Sequence, residues 1–195
     1  MGIEEPLTLF GMWFEEAVAS EPTLPDAASL ATATAEGRPS NRVVLVKRVS
    51  DLGFEFHTSY HSYKGKEMAA NPLAALTYHW KSLGRSVRVE GRVEQLSAEE
   101  SDAYWYTRPR ESRISARSSE QSRIIGSREE LEARSAAEAE RIGDGEVERP
   151  EHWGGYRVVP HRIEFWTHRE DRFHERLEFT RKTEDAEWKH RLLQP

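Results

Sequence analysis

Ser86-Val87-Arg88-Val89-Glu90-Gly91-Arg92-Val93-Glu94 alternates with a period of two: Val87, Val89 and Val93 face one way, while Arg88, Glu90, Arg92 and Glu94 face the other. That period predicts a strand with one buried face. Gly91 sits where a bulge or bend would help close a barrel. Upstream, Phe54-Glu55-Phe56-His57-Thr58 reads as an alternating strand after the turn Asp51-Leu52-Gly53. Arg42-Val43-Val44-Leu45-Val46-Lys47 is a continuous apolar run between two cations, which predicts a strand buried on both faces. Ser29 to Thr34 is small and β-compatible, with Glu36-Gly37-Arg38-Pro39 as its turn. A further strand precedes Ser86, and Tyr156 to Leu192 returns to strand patterning. Strands joined by short turns, with helices between groups, favour a mainly β chain with added helices (α+β) built as an antiparallel barrel.

The helices announce themselves by their ends. Pro6 opens one whose face carries Leu9, Phe10, Trp13, Phe14 and Ala17, ending near Ser20-Glu21-Pro22. Ser62 caps a short helix that Asn71-Pro72 stops. Ser97 with Glu100 forms a capping box for a helix expected to run to Arg108, where Pro109 interrupts. Arg110 to Ser122 is rich in Arg and Ser and shows no clear period. Ser127 with Glu130 makes a second capping box, opening a polar helix through Arg141 that Gly143-Asp144-Gly145 ends.

The 195 residues suffice for one well-cored domain, and no linker or repeat divides 1–195. A net charge of −6 argues against a general nucleic-acid or anionic-membrane binder, while leaving room for a local basic pocket. The absence of cysteine excludes disulfides, thiolate nucleophiles and cysteine-ligated metal centres. Without a long apolar run or an N-terminal signal pattern, a soluble cytoplasmic protein is expected. The eight histidines show no metal-ligand spacing.

Several clusters could carry chemistry. Arg42 and Lys47 either end their strand in water or reach a bound phosphate or an electron-rich ring. Ser62-Tyr63-Lys64-Gly65-Lys66 places a capping serine, amides and two lysines at a helix start, an arrangement that suits an anion but is also common on solvated helices. Tyr104 and Arg108 are four apart, and Ser112 lies beyond Pro109; together they are either a solvated helix end or a cradle for a phosphate monoester. Near the C-terminus, Ile163-Glu164-Phe165-Trp166 leads to Arg172-Phe173-His174-Glu175-Arg176, an aromatic strand end delivering two arginines and a histidine. Such a group suits an anionic, ring-shaped ligand. Gly154-Gly155 reads as a close backbone approach before the Tyr156 strand.

Arg42 to Lys47, Arg108-Pro109-Arg110-Glu111-Ser112, Gln121-Ser122, Trp153-Gly154-Gly155-Tyr156-Arg157 and Ile163 to Arg176 occur in the order of the pyridoxamine 5'-phosphate oxidase family, which the chain resembles almost throughout. That resemblance implies a dimeric split β-barrel with FMN at the subunit interface. It implies flavin contacts from Arg42, Val43, Val44, Leu45, Val46, Lys47, His57, Thr58, Lys64, Gln121, Ser122, Trp166 and Arg176. It places the substrate phosphate on Lys47, Tyr104, Arg108 and Ser112, with Arg172 and His174 as the catalytic pair holding the pyridine ring. The implied chemistry is hydride transfer from the amine- or alcohol-bearing carbon to the flavin, with O2 taking the electrons and yielding hydrogen peroxide.

Tyr63 stands where the family usually has arginine, and Ser86 where a glutamine is usual, so each removes a flavin contact that the resemblance would otherwise imply. Relative to the family, a shorter N-terminal arm, with less cover over the substrate, is expected. The chain also resembles the flavin oxidases of phenazine biosynthesis, through Tyr60 to Glu67 and the closing Leu193-Gln194-Pro195. A phosphorylated B6 vitamer is the expected substrate because Lys47, Tyr104, Arg108 and Ser112 are all present. The alternatives are a tricyclic aromatic precursor, or a split barrel that binds flavin or pyridoxal phosphate without turnover.

Overall fold

A strand paired along both edges for most of its length organises the chain. In the computed structural model, which describes residues 5–195, β1 (Ala27–Ala33), β2 (Pro39–Ser50), β3 (Gly53–Ser59), β4 (Leu73–Trp80), β5 (Arg85–Gln95), β6 (Trp153–Thr167), β7 (Glu175–Thr180) and β8 (Lys189–Leu192) form an antiparallel sheet. Their order is β3-β2-β1-β4-β5-β6-β7-β8, and an added β3–β6 pairing closes the first six into a barrel. The first part of β6 pairs with β3 from Trp153 to Val158, and its last part with β7 from Arg162 to Thr167. One strand thus both seals the barrel and carries the sheet beyond it.

β5 follows its sequence pattern, with Val87, Val89 and Val93 buried. The register shifts between Glu90 and Gly91, where Gly91 faces Pro160. A Cβ on Gly91 would strike the Val159 carbonyl, and Pro160 has no N–H to lose from the ladder. The bend is therefore written into two residues on opposing strands.

Two strands depart from expectation. β2 is not buried on both faces: Val46 enters the core, whereas Val43 is 67% exposed. Its apolar run serves as the wall of an open cleft. β3 is more buried than its alternation predicts, because Glu55 is covered by β6 and pairs with Arg157.

α1 (Pro6–Ser20) buries Leu9, Phe10 and Ala17, with Phe10 packed 5.0 Å from Phe54 and 5.1 Å from Tyr78 between ring centres. α2 (Tyr63–Ala70) starts where expected, Ser62 Oγ accepting the Gly65 N–H. α3 (Ala98–Trp105) has the full capping box but stops three residues earlier than expected. Its last turn tightens, with Thr107 N–H donating to Tyr104 and Arg108 N–H to Trp105, because the residue before Pro109 avoids the helical region.

The aperiodic Arg/Ser stretch is α4 (Arg110–Ser118), a helix that the sequence reading missed. Ile114 is its buried anchor, packed with Trp105, Val147 and Trp153. α5 (Arg128–Ile142) buries none of its residues. Ser127 caps Glu130, but the Glu130 carboxylate takes the Gly126 N–H, so only half of the expected reciprocal box forms. No helix among the described residues is long and apolar enough to cross a membrane.

α5 is held to α4 by Glu138, which accepts from Arg117 and Arg141, each at 2.8 Å. Hydrogen bonds from Arg141 and then Arg117 hold its carboxyl at about 2, below the ordinary 4.5. A carboxyl lowered on folding stabilises above its unfolded pKa and loses that contribution as pH falls through the folded value. Hydrogen exchange in α5 should therefore accelerate as pH drops from about 4.5 towards 2, after correction for intrinsic rates. Protection unchanged over that window would show that the pair does not secure the hairpin.

Candidate functional site

A cleft of about 1080 Å³ opens between β2, β3, the start of α2, the α3–α4 corner and residues 119–122. Ten of the residues expected at a flavin line it: Arg42, Val43, Val44, Leu45, Lys47, His57, Thr58, Lys64, Gln121 and Ser122. Tyr104, Arg108 and Ser112 share the same cleft. Val46 does not, since its side chain points into the barrel core on the other face of β2.

One corner is built around cations. Glu67 Oε2 accepts from Thr32 at 2.5 Å, Ser40 at 2.6 Å and Arg42 at 3.2 Å, which fixes the arginine against the cleft wall. Burial raises the Glu67 pKa, but these hydrogen bonds and the Arg42 charge outweigh it and keep the carboxyl below its usual range. Lys64 is nearly buried, and among the described residues no carboxylate pairs with it. It donates instead to Thr58 Oγ1 at 3.1 Å and Gln121 Oε1 at 3.2 Å. Burial, then the Arg42 charge, lowers its pKa to about 8. A buried ammonium without a counter-ion is costly unless a ligand supplies one.

The segment over this corner is tied down by Thr58 Oγ1 donating to Gln121 at 2.8 Å and by Tyr63 N–H donating to Ser122 at 3.3 Å. Ser122 adopts φ 73°, a conformation that non-glycine residues hold mainly where surroundings impose it. The Tyr63 side chain is exposed.

The second corner is aromatic and cationic. His57 stacks on Tyr104 at 3.9 Å and on Trp153 at 5.5 Å, and the Arg108 guanidinium lies 4.6 Å from the Trp153 ring centre. Both His57 nitrogens and Arg108 Nη1 are buried without a hydrogen-bond partner among the described residues. Burial, then the Arg108 charge, depresses His57 to about 4, so the imidazole is neutral at ordinary pH. Burial also lowers Arg108, which stays cationic. Unsatisfied buried polar groups at a cleft wall call for a partner, and a ligand in the cleft would supply one. Lys47 borders the cleft as well, held by Asp26 at 2.7 Å.

Trp166, Arg172, His174 and Arg176 are not among the residues lining this cleft. They gather by themselves at the β6–β7 end, where Trp166 lies opposite Arg176 in register and 4.7 Å from His174 between ring centres. Arg176 is clamped by Glu164 at 2.8 and 3.0 Å and by the Gln194 carbonyl at 2.9 Å. Ser86 faces Trp166 on the neighbouring strand. The residues expected at the site thus fall into two separate groups on one chain.

Trp153, Glu67, Ser115 and Ser119 also line the cleft but were missed as site residues. Only Glu67 carried a local signal, lying one helical turn from Lys64. Gly154 and Gly155 do mark close approaches: a Cβ at the first would strike Tyr60, and at the second Leu96.

Two family models match the chain: one described as pyridoxamine 5'-phosphate oxidase, over residues 14–141, and one described as the pyridoxine 5'-phosphate oxidase C-terminal dimerisation region, over residues 153–195. A pyridoxine/pyridoxamine 5'-phosphate oxidase of Burkholderia multivorans is 54% identical over 177 residues, covering 91% of this chain and 82% of that protein. One from Pseudomonas syringae pv. tomato is 48% identical, covering 98% and 89%. Among solved structures, PhzG from Burkholderia lata 383, in complex with tetrahydrophenazine-1-carboxylic acid, superposes with a TM-score of 0.92 at 33% identity, covering 98% of this chain and 93% of that one. A pyridoxamine 5'-phosphate oxidase-related, FMN binding protein from Nostoc punctiforme shares the fold, with a TM-score of 0.76 at 15% identity, covering 96% of each chain.

Proposed function

Since this chain belongs to the pyridoxamine 5'-phosphate oxidase family, we propose that it is an FMN-dependent oxidase converting pyridoxamine or pyridoxine 5'-phosphate to pyridoxal 5'-phosphate, with O2 as acceptor and hydrogen peroxide as by-product. The observation that carries this reading is the pair of anion-ready corners in one cleft. Lys64 lacks a carboxylate beside Arg42, and Arg108 holds an unpartnered buried donor beside Tyr104. A cofactor phosphate and a substrate phosphate need two such places.

The residues present fit FMN. Lys64 and Arg42 would take its phosphate, and Val43 to Leu45, Thr58, Gln121 and Ser122 would line its length. When bound, FMN supplies hydride acceptance and passes the electrons to O2. The chain's own part is orientation and charge. Lys47, Tyr104, Arg108 and Ser112 would grip the substrate phosphate and set the reacting carbon at a fixed depth. Trp166, Arg172, His174 and Arg176 would complete the cleft from a second copy of the chain, a reading supported by their separation from it and by the dimerisation-region match over residues 153–195.

An oxidase acting on a tricyclic aromatic acid is the second reading, favoured by the likeness to PhzG. It has less use for the Arg108 corner. Anaerobic titration of the FMN-loaded protein with pyridoxamine 5'-phosphate separates these. Bleaching of the flavin absorbance, reversed by air with release of pyridoxal 5'-phosphate, is expected. A flavin that stays oxidised would turn attention to a phenazine precursor, or to binding without turnover.

Lys64 adds a pH signature. Its ammonium is lost as pH rises through about 8 in the free protein, and a bound phosphate keeps it charged. FMN affinity should therefore weaken as pH rises through that value, read by quenching of flavin fluorescence. A Lys64→Met variant should be weaker throughout and should lack this inflection. An inflection that persists in the variant would assign it to another group.

A further inference from the structure

The β6–β7 turn has a geometry that phosphate recognition does not call on. After Thr167 the chain bends so that Arg172 N–H donates to the Arg169 carbonyl at 3.2 Å, with Arg172 at φ 69°. Phe173 N–H donates to the Asp171 carboxylate at 3.0 Å, reinforcing the bend. The returning strand thereby brings His174 under Arg169, whose backbone N–H donates to His174 Nδ1 at 3.1 Å. The imidazole is flanked by Trp166 at 4.7 Å and His168 at 5.3 Å between ring centres, and the Arg169 side chain is anchored on Glu175 at 2.5 Å.

A neutral imidazole has one N–H and one nitrogen lone pair. Nδ1 faces a donor, so the lone pair is there and the hydrogen is on Nε2. We propose that the Arg169–Arg172 turn locks His174 in the Nε2–H tautomer, so that the Arg169 amide is a positioning group and His174 acts on the ligand as a hydrogen-bond donor and not as a base. The Nδ1 lone pair is occupied by the amide, and Nε2 has none to offer a substrate proton. Forming the imidazolium would set a second hydrogen against the Arg169 N–H. A backbone amide does not titrate and cannot rotate away, which makes the restriction independent of neighbouring charges.

The chemistry that suits a fixed Nε2–H is an oxygen rich in lone pairs on the ligand ring. Under the proposed function this is the phenolic oxygen of the hydroxypyridine; that identity rests on the proposed function, whereas the tautomer does not. Donation to that oxygen would stabilise its anionic form and hold the ring in register without removing a proton from the reacting carbon.

The test is long-range proton–nitrogen NMR on the FMN-loaded protein with labelled histidine, the His174 signals being assigned by their loss in His174→Gln. A single Nε2–H tautomer of the neutral ring is expected. An Nδ1–H tautomer or an even mixture would overturn the lock. Glutamine places an amide nitrogen near Nε2 and asparagine near Nδ1. His174→Asn should therefore lose roughly 10-fold more affinity for pyridoxal 5'-phosphate than His174→Gln, the scale of one hydrogen bond to a charged acceptor. Equal losses would count against a donor at Nε2. Should pyridoxamine 5'-phosphate fail to bleach the flavin while the Nε2–H tautomer stands, the proposed activity falls and the lock survives. An Nδ1–H signature in an enzyme that turns over would remove the lock alone.

Discussion

Arg108→Met should lower kcat/KM for pyridoxamine 5'-phosphate by roughly 30- to 150-fold, the loss expected when a charged hydrogen bond of about 2–3 kcal/mol is removed. Methionine keeps an unbranched apolar side chain while deleting the guanidinium that lies over the Trp105 and Trp153 rings. Arg108 has no carboxylate partner among the described residues, and its Nη1 is buried without a bond. Its removal therefore breaks no ion pair and loses only the two cation–π contacts, so the melting temperature should change little. That combination, a large kinetic loss with little thermal cost, is what a group held in readiness for a ligand shows. An unphosphorylated tricyclic acid turned over equally by both forms would instead support the PhzG-like reading. Loss of stability in parallel with activity would mean that Arg108 is structural.

Arg157→Ala should be the most damaging single change to stability, at about 3–5 kcal/mol. Arg157 is buried and donates to Glu55 at 2.8 and 3.0 Å and to Glu100 at 2.7 Å. Glu55 is 4% exposed, so deleting the guanidinium leaves a carboxylate stranded between β3 and β6, on the seam that closes the barrel. At 2–4 °C per kcal/mol for a chain of this size, the melting temperature should fall by roughly 6–20 °C. Replacing both Arg157 and Glu55 with leucine should recover much of that loss, because the desolvated charges go together. A small loss in the single variant would mean that water reaches the seam. Glu100 belongs to the capping box of α3, the helix that carries Tyr104. The same variant should therefore raise KM as well as lower stability.

Some of this was legible along the chain because the forces involved are local. The β5 alternation, the Ser62 and Ser97 caps and the stop at Asn71-Pro72 all depend on residues within a turn or a pleat of one another. α4 was hidden because only Ile114 along it is buried. Its arginines, which read as loop polarity, spend their charges on Glu146, Glu138 and nearby carbonyls more than twenty residues away. β2 misled for the opposite reason: an apolar run predicts burial, and Val43 instead faces a cleft.

For the candidate site, residue types were readable and their partnerships were not. Arg, Lys, Tyr and Ser at helix starts and strand ends mark anion chemistry from the side chains alone. Nothing local says that Lys64 would have no carboxylate or that His57 would lie between Tyr104 and Trp153. The sequence by itself determined most of the elements, α4 excepted, together with the barrel class and the kinds of group available, since propensity, capping and periodicity act over a few residues. Only the tertiary structure decided that the cleft takes in Arg108 and Lys64 but not Trp166 or His174. Burial, pairing and pKa depend on which surfaces meet across 50 to 100 residues of chain, and those meetings are set by closing the barrel at β3 and β6.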